Sequence, residues 1–197
     1  MSIKNAIKQF KLGNPIIVFD HESRENEGDI VLSAQYATPE KINWITMYAR
    51  GLICVALSQT RAQQLNLSLM PRRGIKELSC MFLQSVEAAE GVTTGISAFD
   101  RSRTIQWLAD KNKTEMNFTT PGHIFPCLAN DGGLSARQGH TEAGVTLCQM
   151  ASLPEAAVIC EIMHEDGTMK NFKQLTLFAK QWGLDMISIK DIMDYNS

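Results

Sequence analysis

The stretch PIIVFDHESRENEGDIVLSA, residues 15–34, sets two short β-branched runs on either side of ten polar residues. Pro15 to Phe19 and Ile30 to Ala34 have the composition of strands, and the loop between them, residues 20–29, is too short for a parallel return, which takes a crossover of a dozen residues or more. A sheet containing this pair is not parallel throughout. Outward from it, strand and helix patterns alternate. Upstream, Ile3, Ala6, Ile7 and Phe10 recur at helical spacing and Gly13 is a natural stop. Downstream, Thr38-Pro39-Glu40 offers a capping hydroxyl followed by proline at the first helical position, for a helix running to about Arg50.

Gly51 breaks that helix, Leu52 to Leu57 is rich in strand formers, and Thr60 to Leu67 predicts a short helix before the loop Pro71-Arg72-Arg73-Gly74. Phe82 to Val86 is a further strand. Asp100 is placed to cap a helix through Ile105, Trp107 and Leu108, and Thr141 to cap another through Val145, Leu147, Cys148 and Met150, with Pro154 beyond its end. Ala156 to Met163 has a buried-strand pattern and Asp166-Gly167 marks a turn. Phe172, Leu175, Phe178 and Trp182 line a last long helix stopped by Gly183, and Met186 to Ile189 closes the sheet. With no repeat, low-complexity tract or linker, the expected fold is one α/β domain of the α+β type, a mixed β-sheet flanked by helices.

The chain has 197 residues and 21.9 kDa, 44% hydrophobic and 20% charged, with 19 basic against 21 acidic residues for a net charge of −2. This is an ordinary globular composition able to bury a core of its own. No basic surplus points to nucleic acid, and no run approaches the ~20 apolar residues of a membrane helix. The five cysteines (Cys54, Cys80, Cys127, Cys148, Cys160) are odd in number, widely spaced and never in a CxxC pair, which suits reduced thiols and a cytoplasmic location. Residues 1–19 carry Lys4, Lys8 and Lys11 but no arginine and one serine, a composition read as helix in preference to a transit peptide.

Chemistry concentrates in two places. Asp20, Glu22, Glu25, Glu27 and Asp29 put five carboxylates in ten residues, and in an extended stretch Glu25, Glu27 and Asp29 would share one side. Such crowding suits a hard cation, Mg²⁺ or Mn²⁺; the plainer reading is a solvated hairpin tip with Asn26 and Gly28 as turn residues. The second cluster runs from Pro121-Gly122-His123 and Gly132-Gly133 to Arg137-Gln138-Gly139-His140-Thr141-Glu142 at the start of a predicted helix. A planar guanidinium, a glycine permitting close backbone approach and a helix N-terminus together favour phosphate, with His140 a possible metal ligand. A glycine-rich connection with a capping threonine and a surface arginine explains the same residues. Glu161 follows the apolar run 156–160, so it is either a carboxylate in a buried setting, where its pKa would rise toward that of a useful acid or base, or the outward side of simple alternation. The hydroxyls of Gly91-Val92-Thr93-Thr94-Gly95 could meet a polar substrate or cap a turn. Walker, GxSxG, GxGxxG and zinc-ligand patterns are absent.

Together, Arg24-Glu25-Asn26-Glu27-Gly28-Asp29, Gly51-Leu52-Ile53-Cys54, the run 91–97 with Asp100-Arg101, Pro121-Gly122-His123-Ile124-Phe125-Pro126, Gly139-His140-Thr141-Glu142 and Asp166-Gly167-Thr168-Met169 resemble the 3,4-dihydroxy-2-butanone 4-phosphate synthases of riboflavin biosynthesis, in the family's order and over nearly the whole chain. The resemblance implies a homodimeric Mg²⁺-dependent lyase (Mn²⁺ the alternative cation) that converts D-ribulose 5-phosphate into formate and 3,4-dihydroxy-2-butanone 4-phosphate. It implies metal ligation by Glu25 and His140, and substrate contacts from Arg24, Glu25, Asp29, Arg137, Gln138, Gly139, His140, Thr141 and Glu161. It assigns catalysis to His123 and Glu161. The family is often fused to a zinc-dependent GTP cyclohydrolase II; residues 1–197 are expected to form a single synthase-like domain without it. His21 and Ser23 stand where the family usually has acids, and Met70 to Gln84, with Cys80, Leu83 and Gln84, departs further. The alternative is therefore a catalytically impaired paralogue that binds a sugar phosphate or a partner.

Overall fold

A computed structural model describes residues 2–21, 23–74 and 80–196. Along the chain come α1 (Ile3–Lys11), β1 (Ile16–Phe19), β2 (Gly28–Ser33), α2 (Pro39–Tyr48), β3 (Cys54–Leu57), α3 (Gln59–Gln64), β4 (Val86–Ala88), α4 (Ala98–Ala109) and β5 (Phe118–Leu128). They are followed by α5 (Gly133–Ala136), α6 (His140–Ala151), β6 (Ala156–Glu161), α7 (Phe172–Trp182), β7 (Met186–Ser188) and α8 (Ile189–Asn196). The seven strands form one sheet in the order β4-β5-β3-β6-β2-β1-β7. β1 and β2 pair antiparallel, as the short loop between them requires, whereas β3–β5 and β1–β7 pair parallel, so the sheet is mixed.

Each strand's alternation feeds two cores. Ile17, Ile30, Leu32, Val55, Leu57, Val158 and Cys160 face α2, α4 and α7, packing on Ile42, Ile45, Ile105, Leu108, Leu175 and Phe178. Ile16, Val18, Val31, Cys54, Ala56, Ala157 and Ile159 face α1, α6 and α8, packing on Phe10, Leu147, Cys148 and Ile192. The result is a three-layer α/β/α sandwich, and α6 is buried along nearly its whole length. Arg61 of α3, itself buried, closes the far end of α4 by donating to the carbonyls of Leu108 (2.8 Å) and Asp110 (2.7 Å), groups a helix C-terminus leaves without partners.

Several boundaries differ from expectation. The cap of α4 is Ser97, whose hydroxyl accepts from the Asp100 N–H at 3.0 Å; Asp100 lies inside the helix and ties down the preceding turn. The N-cap of α6 is Gly139, which places Thr141 in the first turn of the helix. α3 is capped by Ser58 and ends at Gln64, earlier than Thr60 to Leu67 suggested. The expected strand at Phe82 to Val86 makes isolated bridges at Phe82 and Leu83, and regular pairing of β4 begins at Val86. The longest strand, β5, was hidden by Pro121-Gly122, which read as punctuation. Of the divergent stretch 70–84, residues 75–79 lie outside the described residues.

Candidate active site

The acidic loop is wound around Asp20, the first residue after β1. Its buried carboxylate accepts the N–H groups of Glu25 (3.1 Å) and Glu27 (2.9 Å) and the Arg24 Nη1 (2.9 Å). Asn26 takes a left-handed φ of 56°, a conformation asparagine tolerates. The loop is thus a turn, as the hairpin reading has it, and Glu25, Glu27 and Asp29 nonetheless line one cavity, because the turn folds Glu25 back while β2 presents Asp29. Gly28 makes room: a Cβ there would lie 2.6 Å from Leu175 Cδ1. His21 and Ser23 pair with each other at 2.8 Å on the exposed side, leaving Glu25 in place.

The start of α6 supplies the opposite wall. His140 is 7% exposed, with Nδ1 3.8 Å from Asp29 Oδ1 and 3.9 Å from Glu25 Oε2. Arg137 donates to Glu142 Oε2 at 2.6 Å, while the other Glu142 oxygen accepts the Asn130 N–H at 2.9 Å. The guanidinium reaches this position only because residue 139 is glycine, since a Cβ would fall 2.1 Å from Arg137 Nη1. Glu161, at the end of β6, sits directly opposite Asp29 in the ladder and is held by the Leu52 N–H at 2.9 Å.

These groups line a cavity of about 160 Å³, shared with Thr141 and the thiols Cys54, Cys80 and Cys127. Its lining carries Glu25, Glu27, Asp29 and Glu161 against Arg24 and Arg137, and Arg137 is committed to Glu142. Burial, then the charges of Glu161, Glu27 and Glu25, push the Asp29 carboxyl well above its usual range; burial and Glu25 raise Glu27. Burial pushes His140 down to about 4, so the ring is neutral and its lone pair available. Asp29 Oδ1 is buried with no hydrogen-bond partner among the described residues. A buried carboxylate with an orphaned oxygen, further carboxylates beside it and a neutral imidazole fit a divalent cation. Donor atoms of Asp20, Glu25 and His140 lie within 4.8 Å of one another. Asp20 already spends both oxygens on the loop, whereas Glu25 gives only Oε2, to Arg24 Nη1 at 2.6 Å, so Glu25 and His140 are the side chains that could hold the ion.

Not every expected residue arrives here. His123 lies on β5 with its side chain 46% exposed, 3.0 Å from Glu87 Oε1, and does not line the cavity. Gln138 borders a neighbouring groove with His21, Ser23 and Arg24. Thr93 gives its N–H (3.1 Å) and hydroxyl (2.8 Å) to Asp100, so its hydroxyl caps a turn. Asp20 and Glu142 organise the site, and Glu87 pairs with His123 outside it; none was singled out as an individual. Asp20 as the first acid after a strand and Glu142 as an acid in a helix's first turn were the available signals.

These features define a three-layer α/β protein with a carboxylate–imidazole cluster that could hold a cation, beside an arginine-bearing helix start. The chain matches the family model for 3,4-dihydroxy-2-butanone 4-phosphate synthase over residues 4–195 and belongs to that family. It is 45% identical over 194 residues to the riboflavin biosynthesis protein RibBA of Endomicrobium trichonymphae, covering 98% of this chain and 48% of that one. To the 3,4-dihydroxy-2-butanone 4-phosphate synthase of Agrobacterium fabrum it is 42% identical over 193 residues, covering 98% and 91%. The chain spans about half the length of several curated relatives it matches. A crystal structure of 3,4-dihydroxy-2-butanone 4-phosphate synthase in complex with two magnesium ions superposes with a TM-score of 0.95 at 35% identity, over 99% of this chain and 96% of that one.

Proposed function

We propose that the protein is a Mg²⁺-dependent lyase that converts D-ribulose 5-phosphate into L-3,4-dihydroxy-2-butanone 4-phosphate and formate, with Mn²⁺ able to replace Mg²⁺. The observation that carries this reading is the meeting of Glu25 and His140 in a cavity that also holds Arg137. Glu25 and His140 hold the cation, which when bound supplies Lewis-acid polarisation of a substrate oxygen. Arg137, fixed by Glu142, and the first turn of α6 from Gly139 to Thr141 receive the phosphate, where free N–H groups and a guanidinium both favour an anion. Arg24, Glu25 and Asp29 meet the sugar hydroxyls, and Gln138 extends the wall beside Arg24.

Proton transfer falls to Glu161 and His123. Glu161 Oε2 is pinned by the Leu52 N–H, so the carboxylate is held beside the cavity with no side-chain hydrogen-bond partner among the described residues. Asp29 faces it across the ladder, its carboxyl raised by burial and by the charge of Glu161. The two products contain together the atoms of the substrate, so the conversion calls for no redox partner. The homodimer rests on the family resemblance, and in it His123, which lies outside the cavity of its own chain, would serve the cavity of a neighbouring subunit; the face bearing its Glu87 partner continues through Gly95 to the exposed Ile96 and Phe99.

Purified protein supplied with ribulose 5-phosphate and Mg²⁺ is expected to release formate, and a chelator to stop it. Unchanged turnover in Glu25→Ala or His140→Ala would remove the metal assignment, and tight binding without formate would favour a silent sugar-phosphate-binding paralogue. Light scattering at micromolar concentration tests the dimer.

A further inference from the structure

We infer that Glu87 is a positioning residue that fixes the tautomer and the aim of His123. The inference rests on the proposed catalytic role of His123, but its structural basis is separate. β4 and β5 pair out of step: Val86 stands opposite Ile124, whereas Glu87 stands opposite Thr119. Residues 120–123 of β5 therefore have no counterpart on β4 and form an irregular arch in the strand, the kind of irregularity that re-aims a side chain. Ser85 anchors the arch from both sides, its carbonyl accepting the Thr120 hydroxyl at 2.9 Å and its hydroxyl accepting the Gly122 N–H at 3.2 Å. Gly122 passes so near β4 that a Cβ would lie 2.1 Å from the Val86 carbonyl carbon. The arch delivers His123 to Glu87, with Nδ1 3.0 Å from Oε1 and 3.3 Å from Oε2.

Glu87 cannot easily withdraw. Its side chain is 16% exposed, and the 91–95 turn closes over it so tightly that a Cβ on Gly95, whose φ is 88°, would fall 1.5 Å from Oε1. That turn is held in turn by Asp100, which accepts the N–H groups of Thr93 and Gly95. An ionised carboxylate only accepts, so Nδ1 carries the ring hydrogen and Nε2 keeps the lone pair. Nε2 is then the nitrogen offered to a ligand, and if it takes a proton the carboxylate compensates the charge formed. This is the arrangement by which a carboxylate orients a histidine base without itself touching substrate.

The test uses the full chain labelled with ¹⁵N-histidine, in wild-type form and as Glu87→Met, which fills the same volume without an acceptor, and Glu87→Gln, whose amide oxygen still accepts from Nδ1–H. For Glu87→Met the expected result is a kcat for formate release lowered about 10–100-fold with KM changed less than about twofold, and a ¹⁵N spectrum moved from the Nδ1–H to the Nε2–H form. Glu87→Gln is expected to keep the Nδ1–H signature and to recover part of kcat. A Glu87→Met protein with kcat within about twofold of wild type, or with the Nδ1–H tautomer intact, overturns the inference, as does Glu87→Gln behaving like Glu87→Met. Absence of formate from the wild type would instead strike the proposed function, and the tautomer measurement would still decide the role of Glu87.

Discussion

A single methyl group at residue 51 would contend with three atoms of Glu161, lying 2.5 Å from its backbone oxygen, 2.5 Å from Oε2 and 2.8 Å from its nitrogen. Backbone atoms of a central strand cannot yield as a flexible side chain can. Gly51→Ala is expected to cost about 1–3 kcal/mol by overpacking, read from the urea midpoint, and to lower formate release by displacing the carboxylate. Glu142 is the matching case on the other wall: its side chain is fully buried and divides its oxygens between Arg137 and the Asn130 N–H. Glu142→Ala removes the buried carboxylate that Arg137 and the Asn130 N–H share, for an expected loss of about 1–3 kcal/mol read from the urea midpoint, and a higher KM for the phosphosugar. Gly51 was legible as a helix breaker and Glu142 as a residue in a helix start. Their partners were not, because Glu161 is remote from Gly51 in sequence and local pattern says nothing about what a side chain will meet.

Among the elements, those with one apolar face were read well. α7 shows its stripe of Phe172, Leu175, Phe178 and Trp182, opens with the Asn171–Gln174 capping box and stops at Gly183 in a left-handed conformation. β5 was missed because its proline and glycine serve a bulge that carries the catalytic candidate, a tertiary purpose without local periodicity. The start of α4 holds a testable electrostatic device. Thr93 chiefly, with help from the Gly95 N–H and the Ser97 side chain, holds the Asp100 carboxyl below its ordinary value of 3.8. A depressed folded-state pKa contributes stability that is complete above the unfolded value and is lost as pH falls through the folded one. Wild type is therefore expected to exceed Asp100→Asn in urea midpoint at pH 7, and the gap to narrow as pH drops below 3.8. A gap independent of pH would show that the hydrogen-bond geometry, and not the charge, holds the turn.

Over the whole molecule, the proposed cation site predicts a link between folding and ion binding. A ligand that binds the native state alone stabilises it by RT ln(1 + [L]/Kd), about 2.7 kcal/mol at one hundred times Kd. Mg²⁺ is expected to raise the melting temperature of the wild type and to leave Glu25→Ala unchanged; an equal rise in both would place the ion elsewhere. The placement of Asp29, Glu161, Cys54 and Cys127 along one face and one end of the sheet explains why a single cavity gathers residues from six separate segments. What the sequence determined by itself was the class of fold, through strand and helix periods and a loop too short for a parallel crossover, and the residue types of the site, because ten residues with five carboxylates and a glycine-flanked Arg–His pair are unusual without any context. Tertiary structure alone decided which of those residues meet. Burial makes His140 neutral and Asp29 reluctant to ionise, and the ladder register sets Asp29 against Glu161. A bulge in β5 turns His123 toward Glu87 and away from the cavity of its own chain. Burial and register are properties of the assembled sheet, and no stretch of chain contains them before it folds.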